Sequence, residues 1–204
     1  MNINVSNIKI SYDDVLQRLG YLKTSERPAQ NLEIQIKECI ETAQKLIAPK
    51  SVIAFDNITV SENLITFENG YKIKSLQAAK LFANCFKAYG TAVTIGAALE
   101  KKRNDLIAQK ETFKAIILDA AGSVAAEEAV ETVNAQIKEF EESNNNITTK
   151  RFSPGYGDWK LEAQEDFLKW TGAKQIGISL TASFQMQPEK SVSAIVGVRT
   201  ANNN

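Results

Sequence analysis

The chain has 204 residues, with 24 lysine and arginine residues against 24 aspartate and glutamate residues, so its formal net charge is zero. This balance excludes an overall electrostatic attraction to nucleic acid or to an anionic membrane. The 44% hydrophobic and 24% charged residues are typical of a globular protein, and the length is most simply one domain over residues 1–204, or two small ones. The polar N-terminus and the lack of a long apolar run predict a cytoplasmic protein without a signal peptide or membrane span.

The histidine and cysteine content removes several classes of mechanism. The chain has no histidine, which excludes Ser-His-Asp and Cys-His catalysis and histidine-based metal sites within this polypeptide. Cys39 and Cys85 lie far apart in apolar contexts, and two isolated thiols cannot form a four-cysteine zinc or iron–sulfur site. We therefore predict two buried free thiols, no catalytic residue and no metal site.

Capping residues and apolar spacing predict the elements of the first half. Residues 8–10 are strand-like, and Ser11 is the predicted N-cap of a helix over residues 12–19. A polar linker ending at Pro28 then leads into a helix that reaches residue 48. The pattern next predicts strands at 51–60 and 64–67, a hairpin turn at 68–70, a helix capped by Ser75 and ending near 82, and a core strand at 84–96.

The second half predicts two consecutive helices, over residues 97–109 and 116–142, then a helix at 161–170 and strands at 176–181 and 192–198. The acidic end of the long helix is predicted to be a solvated face, whereas Asp119 needs a partner if it is buried. Residues 201–204 are predicted to fray. The irregular alternation with hairpin signals predicts an α+β fold, with helices packed around a mainly antiparallel, twisted sheet.

Residues 151–159 combine an arginine, a Pro-Gly turn, aromatic rings and a carboxylate. Arg151 could hold a carboxylate or phosphate through two parallel hydrogen bonds. The rings could cover a flat or cationic group. The alternative is a purely structural turn before a helix, in which Arg151 pairs with Asp158 and the rings cap the core.

Four segments in the same order resemble the activation domain of cobalamin-dependent methionine synthase. They are Arg-Phe-Ser-Pro-Gly-Tyr at 151–156, the stretch at 180–193 with Leu-Thr-Ala-Ser-Phe-Gln-Met and Ser-Val-Ser, the strand–Gly–helix passage at 94–100, and the Ala- and Glu-rich helix from 119 to 131. The resemblance is clearest over residues 85–198, and it is weakest in the helical N-terminal region, residues 1–50.

This resemblance implies a domain that binds S-adenosylmethionine (SAM) and docks over the cobalamin of a separate corrinoid methyltransferase subunit. Such a protein serves reductive reactivation: SAM remethylates cob(II)alamin while a flavodoxin-like partner donates an electron. The chain would then be a component of methionine synthase, in methionine biosynthesis, and not a complete enzyme. The reactive groups belong to the cofactors, so the polypeptide need only bind, orient and exclude water.

The resemblance also implies a set of SAM-binding residues. Arg151 matches the arginine that holds the SAM carboxylate, Tyr156 matches a tyrosine beside the nucleoside, and the loop between them faces the nucleoside with its backbone. For Glu127, which matches a helix glutamate near the ligand, the alternative is an ordinary exposed glutamate. The expected SAM-binding residues are Arg151, Ser153, Pro154, Gly155, Tyr156 and Glu127.

Some features depart from the family pattern. Gly157 replaces a proline, and Asp13 and Asp14 lie where the family has a SAM-contacting aspartate but are explained as first-turn helix charges. A tyrosine pair that closes the site in the fused enzyme has no counterpart before Asn204. We therefore expect a pocket that is shallower, completed by a partner, or lost. Three hypotheses remain: a SAM-binding reactivation subunit, a docking module without SAM, or a domain for an unrelated small ligand.

Overall fold

The computed structural model describes residues 4–21 and 27–201, and within them the chain forms six α-helices and eight β-strands. The predicted linker is therefore described only in part, and residues 202–204 of the predicted tail lie outside. The elements in chain order are α1 (Tyr12–Arg18), α2 (Gln30–Leu46), β1 (Lys50–Ser61), β2 (Leu64–Phe67), β3 (Lys72–Lys74), α3 (Leu76–Leu81), β4 (Lys87–Thr94), α4 (Ala98–Ala108), α5 (Thr112–Glu142), β5 (Asn146–Thr148), α6 (Gln164–Thr171), β6 (Ser179–Leu180), β7 (Met186–Gln187) and β8 (Ser191–Thr200).

Six of the strands form one antiparallel sheet in the order β3-β2-β1-β4-β8-β5. The centre is long and regular: β4 pairs with β1 from Lys87↔Asn57 to Thr94↔Lys50, and with β8 from Lys87↔Val198 to Thr94↔Ser191. The strands β6 and β7 form a separate short hairpin. This arrangement confirms the predicted α+β fold on a mainly antiparallel sheet.

Hydrophobic side chains cover both faces of the sheet, as the alternation of side chains along its strands requires. On one face α5 packs against β4 and β8, and α1, α2 and α4 pack against α5, through fully buried residues such as Ile36, Leu99 and Ile117. On the other face, α3 and α6 enclose an aromatic core that contains Phe67 and Phe167. The predicted thiols are both buried and free.

Two serines cap the starts of helices, and a glycine ends one, at the positions that the sequence predicts. The hydroxyl of Ser11 accepts a hydrogen bond from the backbone N–H of Asp14, and that of Ser75 accepts one from Ala78. Both therefore satisfy first-turn donors that have no partner inside the helix. Gly172 ends α6 in the left-handed conformation with φ 73°.

Two predictions about strands are corrected by the structure, and the strands β5 and β7 were not predicted. Residues 8–10 are not a strand, because the Gln44 side chain of α2 takes the place of a neighbouring strand: it accepts from the Ile10 N–H and donates to the Ile8 carbonyl. The predicted strand at 176–181 shortens to β6, preceded by a 3-10 turn at Ala173–Ile176.

The prediction of a solvated acidic end for α5 is wrong at Glu141, which is fully buried. Its carboxylate receives the Lys87 ammonium at 2.6 Å, the Tyr89 hydroxyl at 2.5 Å and the Asn146 amide at 2.7 Å. Burial acts to raise the pKa of Glu141, but these donors outweigh it and hold the pKa below its ordinary value. The helix is thus joined to the sheet by an ion pair as well as by its apolar face.

Candidate functional site

The site residues follow the edge strand β5, which runs along β8 and then leaves it. The chain continues the pairing through Thr149, whose N–H donates to the Gly197 carbonyl, and through Phe152, which exchanges two backbone hydrogen bonds with Ile195. Beyond this point, no strand of the described residues, 4–21 and 27–201, pairs with the first residues of β8 on that side. A sheet edge without a neighbouring strand leaves backbone groups and side chains open to a ligand.

The segment 151–159, here called the Arg151 turn, folds back through three backbone hydrogen bonds. The Gly155 N–H donates to the Trp159 carbonyl at 2.7 Å, which requires the left-handed φ of 89° that glycine adopts without strain. The rings of Phe152 and Trp159 stack with centroids 6.1 Å apart and belong to the core. The Tyr156 ring is 67% exposed, so it is the ring of this turn that can contact a ligand.

Asp158 does not pair with Arg151, contrary to the structural alternative considered from the sequence. Its carboxylate accepts from the Ser75 hydroxyl at 2.5 Å and from the backbone N–H groups of Leu76 and Gln77. The Ser75 hydrogen bond and these backbone donors lower the pKa of Asp158. The aspartate therefore attaches the turn to the start of α3 and leaves the guanidinium for other partners.

Arg151 forms ion pairs with two glutamates of α5. One guanidinium nitrogen contacts the Glu127 carboxylate, and the same nitrogen lies 3.2 Å from Glu131. Partial burial acts to lower the pKa of Arg151, but the ordinary value is so far above neutrality that the group stays charged. The arginine thus links the edge of the sheet to α5, because it follows the edge strand β5 and both of its partners lie on that helix.

A groove of about 1010 Å3 opens beside this ion pair. The α6 residue Gln164, the β6–β7 hairpin and the start of β8 form its other walls. Of the six predicted SAM-binding residues, Gly155 does not line the groove, and its role is to shape the turn. The predicted residues that the structure brings together there are Glu127, Arg151, Ser153, Pro154 and Tyr156.

Hydrogen bonds fix the floor of the groove at Ser193. The Ser153 hydroxyl donates to the Ser193 carbonyl at 2.7 Å, and the Gln164 amide donates to the Ser193 hydroxyl at 2.7 Å. Gln164 is almost fully buried although it is polar. Sequence reasoning missed it, because an isolated glutamine in a helix gives no signal of its distant partner.

An ionic network holds the segment before β8 at the groove's other end. Arg103 pairs with Asp119 at 2.8 Å and with Glu189 at 2.7 Å, while the Lys190 ammonium lies 2.9 Å from Asp119. Burial opposes ionisation of Asp119, yet the hydrogen bonds from Lys190 and Arg103 lower its pKa. Asp119 is only partly buried, with 40% of its side chain exposed, and it has two cationic partners.

Comparison with models of known protein families shows which family the chain belongs to. Residues 85–203 match the family model of the activation domain of vitamin B12 dependent methionine synthase. The chain belongs to this family. The matched activation-domain region contains the Arg151 turn, Glu127 and the whole of β8, and the resemblance predicted from the sequence is confirmed.

Solved structures support the same relationship at the level of the fold. The crystal structure of the MetH reactivation domain bound to AdoHcy superposes with a TM-score of 0.65, covering 95% of this chain and 76% of that chain at 13% identity. No curated protein matches the sequence. The similarity to the reactivation domain thus includes most of the N-terminal region that the family model does not match.

Neither a bilayer span nor a metal-binding cluster is found in the described part of the chain. No helix there is both long and apolar enough to cross a membrane. Residues 4–21 and 27–201 likewise contain no group of three cysteine, histidine or acidic side chains arranged to hold a metal ion.

Proposed function

We propose that this chain binds SAM in the groove beside Arg151 and serves the reductive reactivation of a separate cobalamin-carrying methyltransferase subunit, such as that of a split methionine synthase. The observation that carries the proposal is that Arg151, Glu127 and Tyr156 all line one groove. The choice of SAM as the ligand is supported by the family match and by the fold that the chain shares with an AdoHcy-bound reactivation domain.

The groove offers a complementary group for each part of the ligand. Its volume is at the upper end of the range for small-molecule sites. The guanidinium of Arg151 suits a carboxylate, and the carboxylate of Glu127 suits an ammonium or sulfonium group. The exposed ring of Tyr156 offers a flat apolar surface to the nucleoside.

In the proposed reaction SAM supplies the methyl group, and cobalamin, carried by the partner, accepts it. The task of this chain is to bind the ligand, fix its orientation and limit the access of water. The hydrogen bonds of Ser153 and Gln164 to Ser193 keep the floor of the groove rigid, so the ligand meets a preorganised surface. The electron would come from a flavodoxin-like donor, which belongs to the same proposal.

A second candidate is a docking module that contacts the corrinoid protein without binding SAM. The observation that favours it is the ion pairing of Arg151 with Glu127 and Glu131, which satisfies the guanidinium internally. A ligand carboxylate would have to replace at least one of these glutamates, and any such exchange lowers affinity.

Calorimetric titration of SAM into the purified protein tests the proposal. We expect micromolar binding, about −8 kcal/mol, and a loss of roughly 1.5–3 kcal/mol in Arg151→Ala because a charge-assisted hydrogen bond disappears. Lys150→Ala is the matched control, since it removes the adjacent exposed positive charge, which does not line the groove. If the well-folded wild type does not bind SAM, the SAM hypothesis fails, and pull-down of a corrinoid protein then tests the docking module.

A further inference from the structure

The tip of the β6–β7 hairpin carries an aromatic residue at a position that usually belongs to glycine. The Thr181 N–H donates to the Gln185 carbonyl at 2.9 Å, and the Phe184 N–H donates to the Thr181 carbonyl at 3.0 Å, so the tip is a three-residue loop over 182–184. Such loops typically end in a residue in the left-handed conformation, for which glycine is the usual choice. Here that residue is Phe184, with φ 61°.

This conformation is unfavourable for phenylalanine. In the left-handed region the Cβ atom lies too close to the following carbonyl oxygen, a contact that glycine avoids because it has no Cβ. The other non-glycine residues with positive φ among residues 4–21 and 27–201 are Asn84, Lys110 and Asn145, and none of them is aromatic. A bulky residue that is kept in a strained conformation indicates a role for its side chain that the loop itself does not require.

Packing within the hairpin does not explain the phenylalanine. The strand residues Leu180 and Met186 pack against the aromatic core, and they attach the base of the hairpin to the rest of the protein. Phe184 belongs to neither hydrophobic core of the described part of the chain. It is nevertheless only partly exposed, and it lines the groove. The strained residue therefore contributes to the wall of the groove and not to the core.

A second aromatic residue lines the same groove from the Arg151 turn. Tyr156 is 67% exposed, and it belongs to a different wall from the hairpin that carries Phe184. Aromatic rings on two walls of one groove suit a flat aromatic group, because such a group presents a π face on each side. A nucleobase is a group of this kind.

We propose that Phe184 is a specificity-determining residue whose ring covers the nucleobase of the SAM-type ligand. This inference rests on the proposed function and adds to it a group that recognises the flat part of the ligand, while Arg151 keeps the carboxylate. The backbone strain at Phe184 is then a consequence of holding the ring over the groove. The anchored base of the hairpin keeps the ring in place before the ligand arrives, which lowers the entropy lost on binding.

Calorimetric titration of SAM into three Phe184 variants tests the inference. Phe184→Tyr keeps the flat ring, Phe184→Leu keeps an apolar side chain without it, and Phe184→Gly removes the side chain and relieves the strain. We expect the tyrosine variant to bind SAM as the wild type does, the glycine variant to bind about tenfold more weakly, and the leucine variant to lie between them. Ala182→Gly is the matched control, because Ala182 is exposed at the same tip and does not line the groove; it should leave the affinity unchanged.

Thermal unfolding without ligand separates a binding role from a structural one. Relief of the strain should keep the melting temperature of Phe184→Gly at or above that of the wild type, and a fall of both stability and affinity would make the residue structural and the inference wrong. Wild-type affinity in Phe184→Gly or Phe184→Leu refutes the inference while the proposed function stands. Equal weakening by Ala182→Gly assigns the effect to a loosened loop and also refutes it. A wild type that does not bind SAM overturns the inference together with the proposed function.

Discussion

Replacement of Glu141 by glutamine tests how strongly the buried ion pair joins α5 to the sheet. The substitution keeps the shape of the side chain and removes its charge. The carboxylate is fully buried, and its partner Lys87 is only 19% exposed. The variant therefore leaves a partly buried ammonium group without its counterion. It also replaces one acceptor oxygen of the carboxylate by an amide NH2 group, which is itself a donor and faces the donors of Lys87, Tyr89 and Asn146.

The magnitude follows from the burial of both partners. Removing one member of a buried ion pair typically destabilises a protein by about 3–5 kcal/mol. Lys87 retains some access to water and contacts the Tyr89 ring with its ammonium 5.2 Å from the centroid, so we expect the lower end, about 3 kcal/mol. With a urea m-value of about 2–3 kcal/mol/M, this loss lowers the unfolding midpoint by about 1–1.5 M.

The assay is urea unfolding followed by far-UV circular dichroism at neutral pH. Glu142→Gln is the matched control, because this neighbouring glutamate is exposed and lies 3.7 Å from Lys138; we expect a change within about 0.5 kcal/mol. Equal midpoints for the two variants would refute the reasoning. A Glu141→Gln variant that also carries Lys87→Met should recover part of the loss, since the unpaired charge is then removed.

The same ion pair predicts a dependence of stability on pH. The pKa of Glu141 in the folded protein lies below its ordinary value of 4.5. Its stabilising contribution is therefore complete above about pH 4.5 and is lost as the pH falls through the folded pKa. The wild type should lose more stability than Glu141→Gln on acidification from pH 5, and parallel curves would contradict this assignment.

Two further substitutions test close packing and the attachment of the Arg151 turn. Gly90→Ala should destabilise the protein by about 1–3 kcal/mol or more, because the new methyl group would overlap the Trp170 ring; urea unfolding measures this, and a change below about 0.5 kcal/mol would contradict it. Asp158→Asn should lower the melting temperature, because the carboxylate accepts hydrogen bonds from Ser75 and from the start of α3. Calorimetric scans should show the difference shrinking as the pH falls below the ordinary value of 3.8, and a constant difference would argue against it.

Local signals were sufficient for most of the fold. The apolar stripe of α2, which includes Ile36, Cys39 and Ala43, predicted a helix whose buried face is the observed one. The serine caps of α1 and α3 were predicted because their chemistry involves only the next three residues. The order of strands in the sheet could not be obtained in this way, since it depends on contacts between distant segments.

The errors share a dependence on distant partners. The strand β5 has a polar sequence, and it is ordered by pairing with residues of β8 that lie 50 to 54 positions later in the chain. Glu141 looks like any acidic residue near a helix end until Lys87 is placed beside it by the sheet. The segment at 8–10 has the composition of a strand, but the Gln44 side chain satisfies its backbone.

The sequence was sufficient to predict which functional groups line the groove, but not which of them pair with one another. The density of functional groups in the Arg151 turn indicated a stretch that lines the groove, and family resemblance added Glu127. The partners of Arg151 and Asp158 could not be assigned from sequence, because both were free to pair with each other or elsewhere.

The pairing of Arg151 with two glutamates has a consequence for ion selectivity. A guanidinium that already has its counterions does not attract chloride, acetate or phosphate from solution, since each would have to displace a tethered carboxylate at high effective concentration. An anion attached to a ligand that is also bound at other points has a high effective concentration of its own and can compete. Arg151 therefore favours an anionic group that arrives as part of a larger, multiply bound ligand over the same group free in solution.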